Sequence, residues 1–482
     1  MEWQDFLKQE AGLHGLSSDQ EETLLAAFPK LNIQINQKQL SIQLNISEHT
    51  VKKRLSSIYD KFAESCEKLQ QQDGAGKLQT LHDEYLKKKF YQKQNIQFND
   101  NKISNNSLTY PSEFQKLIDD KTKSFCGRGF VFQAIAEFIQ NNSNGYFTVV
   151  GDAGMGKSAI AAKYILDHPE TVCYFNIRAE GKNRPDLFLK VIRQQLKERY
   201  ELLNVEDADL STLLTKVSEK ISNGERLIIV VDALDEVDQE ASGNLLYLPT
   251  ILPNNIYFLL TRRPCLAEEK RLNISPSVAY QELDLREYDQ KSNDDVQEYI
   301  WLLLNSGEYQ QGLQQWIEKQ PNLSKSEFVK EIAAKSENNF MYLRCVLPAI
   351  AEGFYNDKPL NQIPVGLQGY YLSHWRIMGM TNKPLPKNKI KIVYVMCALK
   401  SAASREVIAK YSKQNELTVQ EVLDGWAQFL QKQENYQPPR YRFYHESFRD
   451  FLHNLEIIKA AGVSLPDISA EVAENMTEGL SL

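Results

Sequence analysis

The residues of this chain best suited to chemistry are Gly151-Asp152-Ala153-Gly154-Met155-Gly156-Lys157-Ser158. The glycines let successive backbone N–H groups curl around a phosphate without Cβ clashes, and a helix starting at the end of the turn adds its partial positive charge. In the pattern G-x-x-x-x-G-K-S the lysine, Lys157, reaches the outer phosphates and Ser158 ligates magnesium. A bland glycine turn can match such a pattern. Here the apolar run Tyr146 to Val150 precedes the turn and the helix-like Ala159 to Ile165 follows it, which is the context a phosphate loop requires.

Two further groups of residues extend that chemistry. Leu227 to Val231 is a continuous apolar run, as expected of a strand inside a parallel sheet, and it ends in Asp232-Ala233-Leu234-Asp235-Glu236. Asp232 at the strand tip suits a magnesium ion held through water, and either Asp235 or Glu236 suits polarisation of an attacking water. Alone, such acids are usually a solvated loop; beside the glycine turn they gain a role. A third apolar run, Tyr257 to Leu260, ends in Thr261-Arg262-Arg263-Pro264, where a guanidinium can grip a terminal phosphate with two parallel hydrogen bonds. The bland reading of either arginine is a surface ion pair. The elements that must position these groups are alternating strands and helices: Thr171 to Ile177 as a strand, Leu187 to Tyr200 and Leu213 to Ile221 as helices. The expected core is a three-layer α/β sandwich with a parallel sheet, its ligand at the carboxyl ends of the strands.

These motifs together resemble the NACHT clade of STAND signal-transduction P-loop NTPases, over roughly residues 120–455. The resemblance rests on Gly151 to Ser158, on the strand ending Asp-Ala-Leu-Asp-Glu with a small residue after the first acid, and on Leu-Leu-Thr-Arg-Arg-Pro. It implies an ATP/ADP site with magnesium, and it matches Arg263 to the family arginine, with Arg262 in place of a serine. Phe125 to Arg128 is similar to an element near the adenine, although Gly129 stands where the family has Glu. Ile363-Pro364-Val365-Gly366-Leu367 is similar to the proline element that opens the helical subdomain, which implies Pro364 against the adenine; an ordinary helix-start proline is the other reading. His445-Glu446-Ser447-Phe448-Arg449-Asp450-Phe451-Leu452 resembles the winged-helix phrase whose histidine touches the β-phosphate of ADP, and that role is implied for His445.

Length and composition set the frame. A chain of 482 residues should fold as two to four domains. No run of eighteen apolar residues occurs, and the start MEWQDFLKQE lacks a basic-then-apolar signal pattern, so a cytosolic chain without a membrane partner is expected. Six scattered cysteines indicate neither disulfides nor zinc and read as small buried hydrophobes. A net charge of -7 exerts no general pull on nucleic acid.

The expected domains are a helix-turn-helix at 1–72, a helical and flexible linker at 73–108, the NTPase core at 109–290, a helical subdomain at 291–386, a winged helix at 387–453 and a tail at 454–482. The tail carries no repeat array of the kind family members commonly use to sense a trigger. In the first domain, Leu40 and Leu44 on a short helix, Ser47 as N-cap, and Val51, Leu55, Ile58 and Phe62 at helical spacing make two helices joined by a short turn, with the second expected to run on through Cys66 and Leu69. The phrase resembles LuxR-type and sigma-factor-like recognition helices. Lys38, Lys52, Lys53, Arg54 and Lys61 suit phosphate contact, yet across 1–62 seven basic residues meet eight acidic ones, so DNA and a protein partner both stay open.

Three functions compete at this point. One is an ATP/ADP switch that opens and homo-oligomerises on nucleotide exchange and hydrolyses ATP slowly; carried to biology, the resemblance points to bacterial defence or stress signalling. The second is a nucleotide-gated transcription regulator. The third, a metabolic P-loop kinase or transferase, is disfavoured by the long helical extension.

Overall fold

A computed structural model describes residues 3–29, 40–63 apart from 42 and 45, residues 65, 66, 69, 77–86, 89 and 90, and 110–478 apart from 223, 267, 268, 270, 306, 400 and 435. The polar stretch 92–107 and the turn at 73–76 lie outside the described residues. The chain divides into two units, Met1–Ser107 and Leu108–Leu482.

In the first unit, helices α1 (Trp3–Leu13), α2 (Ser18–Ala27) and α3 (Glu48–Ala63) surround an apolar core. Ser17 and Gln20 form a capping box at the start of α2, and Ser47 Oγ accepts from Thr50 N at 3.1 Å at the start of α3. Val51, Leu55, Ile58 and Phe62 are buried, as their spacing requires. The expected extension of α3 does not occur. It ends at Ala63, where three-residue bonds (Ser65 N to Phe62 O at 3.0 Å, Cys66 N to Ala63 O at 3.3 Å) tighten the last turn, and Cys66 and Leu69 are buried beyond its end. After Lys77–Thr80 the backbone widens to a π-helix at Leu81–Leu86.

The second unit is built on five parallel strands: β1 (Gly145–Val150), β2 (Val172–Phe175), β3 (Leu227–Asp232), β4 (Ile256–Arg262) and β5 (Ala279–Asp284), in the order β2-β3-β4-β1-β5. Every residue of β1 to β4 is buried, which explains their legibility as apolar runs. Strand β5 lies at an edge, is largely exposed, and reads Ala-Tyr-Gln-Glu-Leu-Asp, so no apolar run announces it. Helices α4 (Ser112–Thr122), α5 (Gly129–Asn141), α6 (Lys157–Asp167), α7 (Pro185–Tyr200) and α8 (Leu210–Lys220) complete an α/β core, with α4 packed on α6.

A helical region follows: α9 (Asp289–Asn305), α10 (Gln310–Lys319), α11 (Lys325–Ser336), α12 (Phe340–Ala351) and α13 (Gly366–Ile377). Next come α14 (Lys387–Ala398), β6 (Ala403–Ser404), α15 (Arg405–Ser412), α16 (Glu416–Gly425), β7 (Leu430–Gln433), β8 (Arg440–Phe443) and α17 (Glu446–Leu452), with an antiparallel sheet in the order β6-β8-β7. The sequence predicts one helix from Val419 to Gln431. Instead α16 stops at Gly425, Trp426 turns into the core, and Leu430 starts a strand paired with Phe443. The tail is also more regular than its polar composition suggests: α18 (Leu455–Ala461) and α19 (Leu465–Glu478) join the same apolar cluster through Ile457, Ala461 and Val472. Lys391 and Glu471 pair across α14 and α19 at 2.6 Å. Among the cysteines, four are buried and Cys345 partly so, but Cys265 is exposed and takes an N–H from Arg262, contrary to the reading of all six as buried hydrophobes.

Candidate functional site

The glycine turn leaves β1 and opens α6, and its conformation explains its composition. Gly154 and Gly156 have φ of 89° and 92°, the left-handed region that L side chains avoid, and a Cβ on Gly154 would lie 2.3 Å from Asn339 Oδ1. Within the loop, Lys157 Nζ donates to Gly151 O at 2.7 Å and Asp152 O at 2.9 Å. Burial pulls the Lys157 pKa down, opposed by Asp235. Met155 is buried, its sulfur accepting from Asp152 N at 3.2 Å.

The acidic strand tip lies against this loop. Asp232 is buried, accepts from Thr261 Oγ1 at 2.5 Å, and is hydrogen-bonded to Ser158; burial raises its pKa while those two hydroxyls and Lys157 oppose the rise. Ser158 and Asp232 are thus adjacent hard-oxygen donors, of the kind that would hold a magnesium ion. Among the described residues no cluster of three or more His, Cys, Asp or Glu could hold a metal by itself. Ala233 takes φ 54°, with its N–H donating to Thr261 Oγ1 at 2.9 Å, which accounts for a small side chain after the acid.

Asp235 and Glu236 diverge. Asp235 accepts from Arg263 N at 2.9 Å and pairs with Arg263 Nε at 3.2 Å. Glu236 accepts from Arg178 N at 3.0 Å, and burial, against that hydrogen bond and helped by Glu446, Asp235 and Asp232, lifts its pKa to about 7. Arg263 also reaches Asp450 on α17, Nη1 to Oδ2 at 2.6 Å. Burial disfavours its charge, but Asp450 and Asp235 outweigh that and hold its pKa above the ordinary value. Arg262 turns away, into the Cys265 contact.

His445 caps α17. Its Nδ1 accepts from Ser447 N at 3.2 Å and lies 2.6 Å from Ser447 Oγ, which in turn meets Tyr371 Oη at 2.9 Å. A ring whose Nδ1 accepts a backbone N–H carries its proton on Nε2, so the neutral imidazole presents a donor on its other side. Burial, then Lys121, Arg263, Lys157 and Arg344, push its pKa down to about 3. The distal histidine and the loop lysine, 288 positions apart in the numbering, therefore share one electrostatic environment.

Arg128 and Pro364 are held by other contacts. Arg128 is buried with φ 61°, donating from its main chain to Asp295 at 3.0 Å, from Nη1 to Ser292 at 3.0 Å and from Nη2 to Met155 O at 2.8 Å. It ties the back of the glycine turn to α9. Pro364 accepts from Tyr342 Oη at 2.6 Å and lines a shallow depression with Val365, Gly369 and Leu372, all close in sequence.

The sequence reading assigned no role to several residues that shape this site. Asn339 Nδ2 donates to Ala153 O at 2.9 Å, and Phe340 N donates to Gly154 O at 2.9 Å, so the start of α12 clamps the loop. Asn339 Oδ1 also caps α12 by accepting from Tyr342 N at 3.1 Å. An Asn before an apolar helical run signals a cap, but nothing in sequence says that its amide spans to residue 153. Arg178 links Glu236 by its main chain to Glu446 by its guanidinium, at 3.7 Å, and Arg442 pairs with Glu180 at 3.1 Å.

Comparison with known proteins places the loop and both strand tips within one family match. The family model described as Nephrocystin 3, N-terminal, matches residues 132–263. Curated proteins give no match. Among solved structures, the chain is similar to a Signal Transduction ATPase with Numerous Domains (STAND) protein with a tetratricopeptide repeat sensor from Pyrococcus horikoshii, at 14% identity and TM-score 0.31, covering 70% of this chain and 44% of that one. The chain thus spans less than half the length of that protein. It is also similar to Drosophila ORC bound to DNA, at 12% identity and TM-score 0.33 over 71% of this chain and 98% of that one. A third likeness is to Cdc6p from Pyrobaculum aerophilum, at 10% identity and TM-score 0.30 over 78% and 99%.

Proposed function

We propose that this chain is an ATP/ADP-binding switch in which the state of the phosphate chain decides whether the segment 387–453, a winged helix in this reading, stays docked on the α/β core. The observation that carries the reading is the position of Arg263, shared between Asp235 at the loop after β3 and Asp450 on α17. Gly151, Asp152, Ala153, Gly154, Met155 and Gly156 cradle the phosphates, Lys157 neutralises the outer ones, and Ser158 with Asp232 holds magnesium, which supplies charge neutralisation when bound. Thr261 fixes the orientation of Asp232. The Nε2–H of His445 donates to the inner phosphates of the diphosphate form. Arg128 sets the adenine-side segment, and Pro364 lies against the adenine from the turn before α13; it does not open the helical region, which starts at α9.

In the diphosphate form Arg263 pairs with Asp450 and α17 stays docked. A terminal phosphate offers Arg263 a competing anion. Asp450 is then released, and with it the Arg178–Glu446 and Arg442–Glu180 pairs. The nucleotide biases this equilibrium only by its differential affinity for the two states. The opened surface joins a second copy. Glu236, with Asp235 steering Arg263, polarises water for a slow hydrolysis that resets the switch.

The test is light scattering coupled to size exclusion in ADP and in a non-hydrolysable ATP analogue. The reading expects monomer in the first and oligomer in the second, with Lys157→Ala monomeric in both; identical elution of the wild type in the two nucleotides refutes it.

For residues 1–62 we favour a protein partner over DNA. Arg54 pairs with Asp19 at 2.7 Å and Glu22 at 3.7 Å, and Lys61 donates to Gly15 O and Gln20 Oε1, so these two cations of α3 are engaged internally while Lys52 and Lys53 remain exposed. The transcription-regulator reading regains its place if the full chain shifts a duplex at low salt with a steep salt dependence.

A further inference from the structure

The loop that runs from Glu236 to β4 presents two apolar side chains outward. Leu245, Leu246, Leu248 and Leu252 are buried, but Tyr247 and Ile251 among them are 57% and 64% exposed. This turn is built, not slack. Leu246 and Tyr247 both take positive φ, 55° and 52°, a left-handed backbone that is costly for side chains of their size. Hydrogen bonds hold it there: Gln239 Oε1 accepts from Leu246 N at 2.7 Å, and Asn244 Nδ2 donates to Leu248 O at 2.7 Å. Arg271 Nη1 donates to Gln239 O at 2.7 Å, and Tyr146 Oη of β1 donates to Pro249 O at 2.6 Å. Asp238 and Glu240, on the approach to the turn, are exposed acids.

A concave patch of the opposite charge lies on the helical region. One face of α13 is left uncovered among the described residues, with Val365 and Ile377 exposed at its two ends. Between them Gly369 and Leu372 line a depression of about 370 Å³, and Lys358 and Arg376 also line it. Gly369 has no reason in its own packing to be glycine. A Cβ there would meet nothing closer than Pro364 Cβ at 3.9 Å, an ordinary contact, and glycine inside a helix is less stable than alanine. What its missing side chain does is keep the depression open.

We infer that the Tyr247–Ile251 turn of one copy enters the α13 depression of a second copy, with Asp238 and Glu240 brought to Lys358 and Arg376. A tyrosine held rigid and seated in a pocket, with charges at the rim, has the make-up of an interface centre. Two unlike patches on one chain give a head-to-tail contact, which closes into a ring or runs on as a filament. The inference rests on the nucleotide-switch reading above and names the surfaces that its oligomer uses. Because the turn continues directly from Asp235 and Glu236, the acidic strand tip and the protrusion share one segment.

The experiment is light scattering coupled to size exclusion of the full chain in the non-hydrolysable ATP analogue, for wild type, Tyr247→Asp, Gly369→Leu and Arg376→Glu. Nucleotide titration and melting temperature are the controls. Aspartate tolerates the left-handed backbone at 247, and leucine at 369 replaces a helix-weakening glycine, so both variants should fold and bind nucleotide as wild type does. Each of the three should lose the oligomer. Mixing Tyr247→Asp, which keeps the depression, with Gly369→Leu, which keeps the turn, should restore a one-to-one dimer and nothing larger. Wild-type oligomer size in Tyr247→Asp and Gly369→Leu overturns the inference and leaves the switch intact. No dimer in the mixture, at a concentration where wild type assembles, overturns the head-to-tail pairing. A wild type that is monomeric in both ADP and the analogue removes the switch reading, and this assembly with it.

Discussion

Arg263 on the strand end of the core and Asp450 on α17 are joined at 2.6 Å across 187 positions of sequence, and the same guanidinium holds Asp235 at 3.2 Å. Replacing Asp450 by Asn should loosen the docked state. The pair is partly exposed, with Asp450 at 42%, so its contribution is about 1 kcal/mol or less, a shift of roughly fivefold in the open-to-docked ratio. Expected is oligomer formation at a lower concentration of ATP analogue in Asp450→Asn than in wild type. An unchanged concentration dependence would show that Arg263 does not hold the docked state.

Burial pushes the Glu236 pKa up to about 7, so its charge changes near neutral pH. As a base for water it must be ionised, and hydrolysis should rise about tenfold per pH unit below 7 and level off above. The stability sign is opposite. A carboxyl raised from 4.5 stabilises the fold fully below pH 4.5, and that contribution is lost as pH rises through 7. Steady-state turnover between pH 5.5 and 8.5 (about three decades of proton activity) checks the first claim, and Glu236→Gln should lower the plateau about 100-fold and flatten the profile.

Asn339 serves two ends at once, capping α12 and holding Ala153 O. Asn339→Ala removes a cap and a loop contact, which should cost about 1–2 kcal/mol of stability and loosen nucleotide binding as well. Gly154→Ala attacks the same contact from the other side, placing a Cβ 2.3 Å from Asn339 Oδ1 at a φ of 89°. Thermal melting and nucleotide titration of both variants should show affinity falling in each. Affinity equal to wild type in both would rule out the clamp.

His374 is buried at 1% exposure, stacked on Phe354 at 4.8 Å between ring centroids, with Gln428 Nε2 at 2.7 Å from its Nδ1 and its Nε2 without a hydrogen-bond partner among the described residues. Burial, with a lesser push from Lys358, lowers its pKa to about 4. At this ring the folded chain therefore binds fewer protons than the unfolded chain between pH 6.5 and 4, and the stability that His374 contributes falls as pH drops through that window, by at most about 1.4 kcal/mol per unit. Chemical denaturation of His374→Phe at pH 4.5, 5.5 and 6.5 should show a shallower pH slope than wild type.

Much of the candidate site was legible because the proposed chemistry demands local sequence. A phosphate cradle needs glycines in fixed positions, and Gly154 and Gly156 adopt the left-handed turns that exclude other residues. Buried parallel strands must be apolar on both faces, so β1, β3 and β4 announced themselves, and their polar tips announced Asp232 and Arg263. The edge strand β5 did not, because half of its surface faces water. Helix α3 and the run from Val419 overran in the reading, since apolar spacing continues past the point where i→i+3 turns or a strand take over.

By itself the sequence determined which residues could meet a phosphate: loop, acid and arginine each follow from a pattern within a few neighbouring positions. Only the tertiary structure decided what surrounds them. That Asp450 faces Arg263, that Asn339 spans to Ala153 and that Arg178 bonds Glu236 are all contacts between segments far apart in the chain. Such pairings depend on how α12 and α17 dock against the core, and docking is set by the summed packing of many side chains rather than by any short stretch of residues.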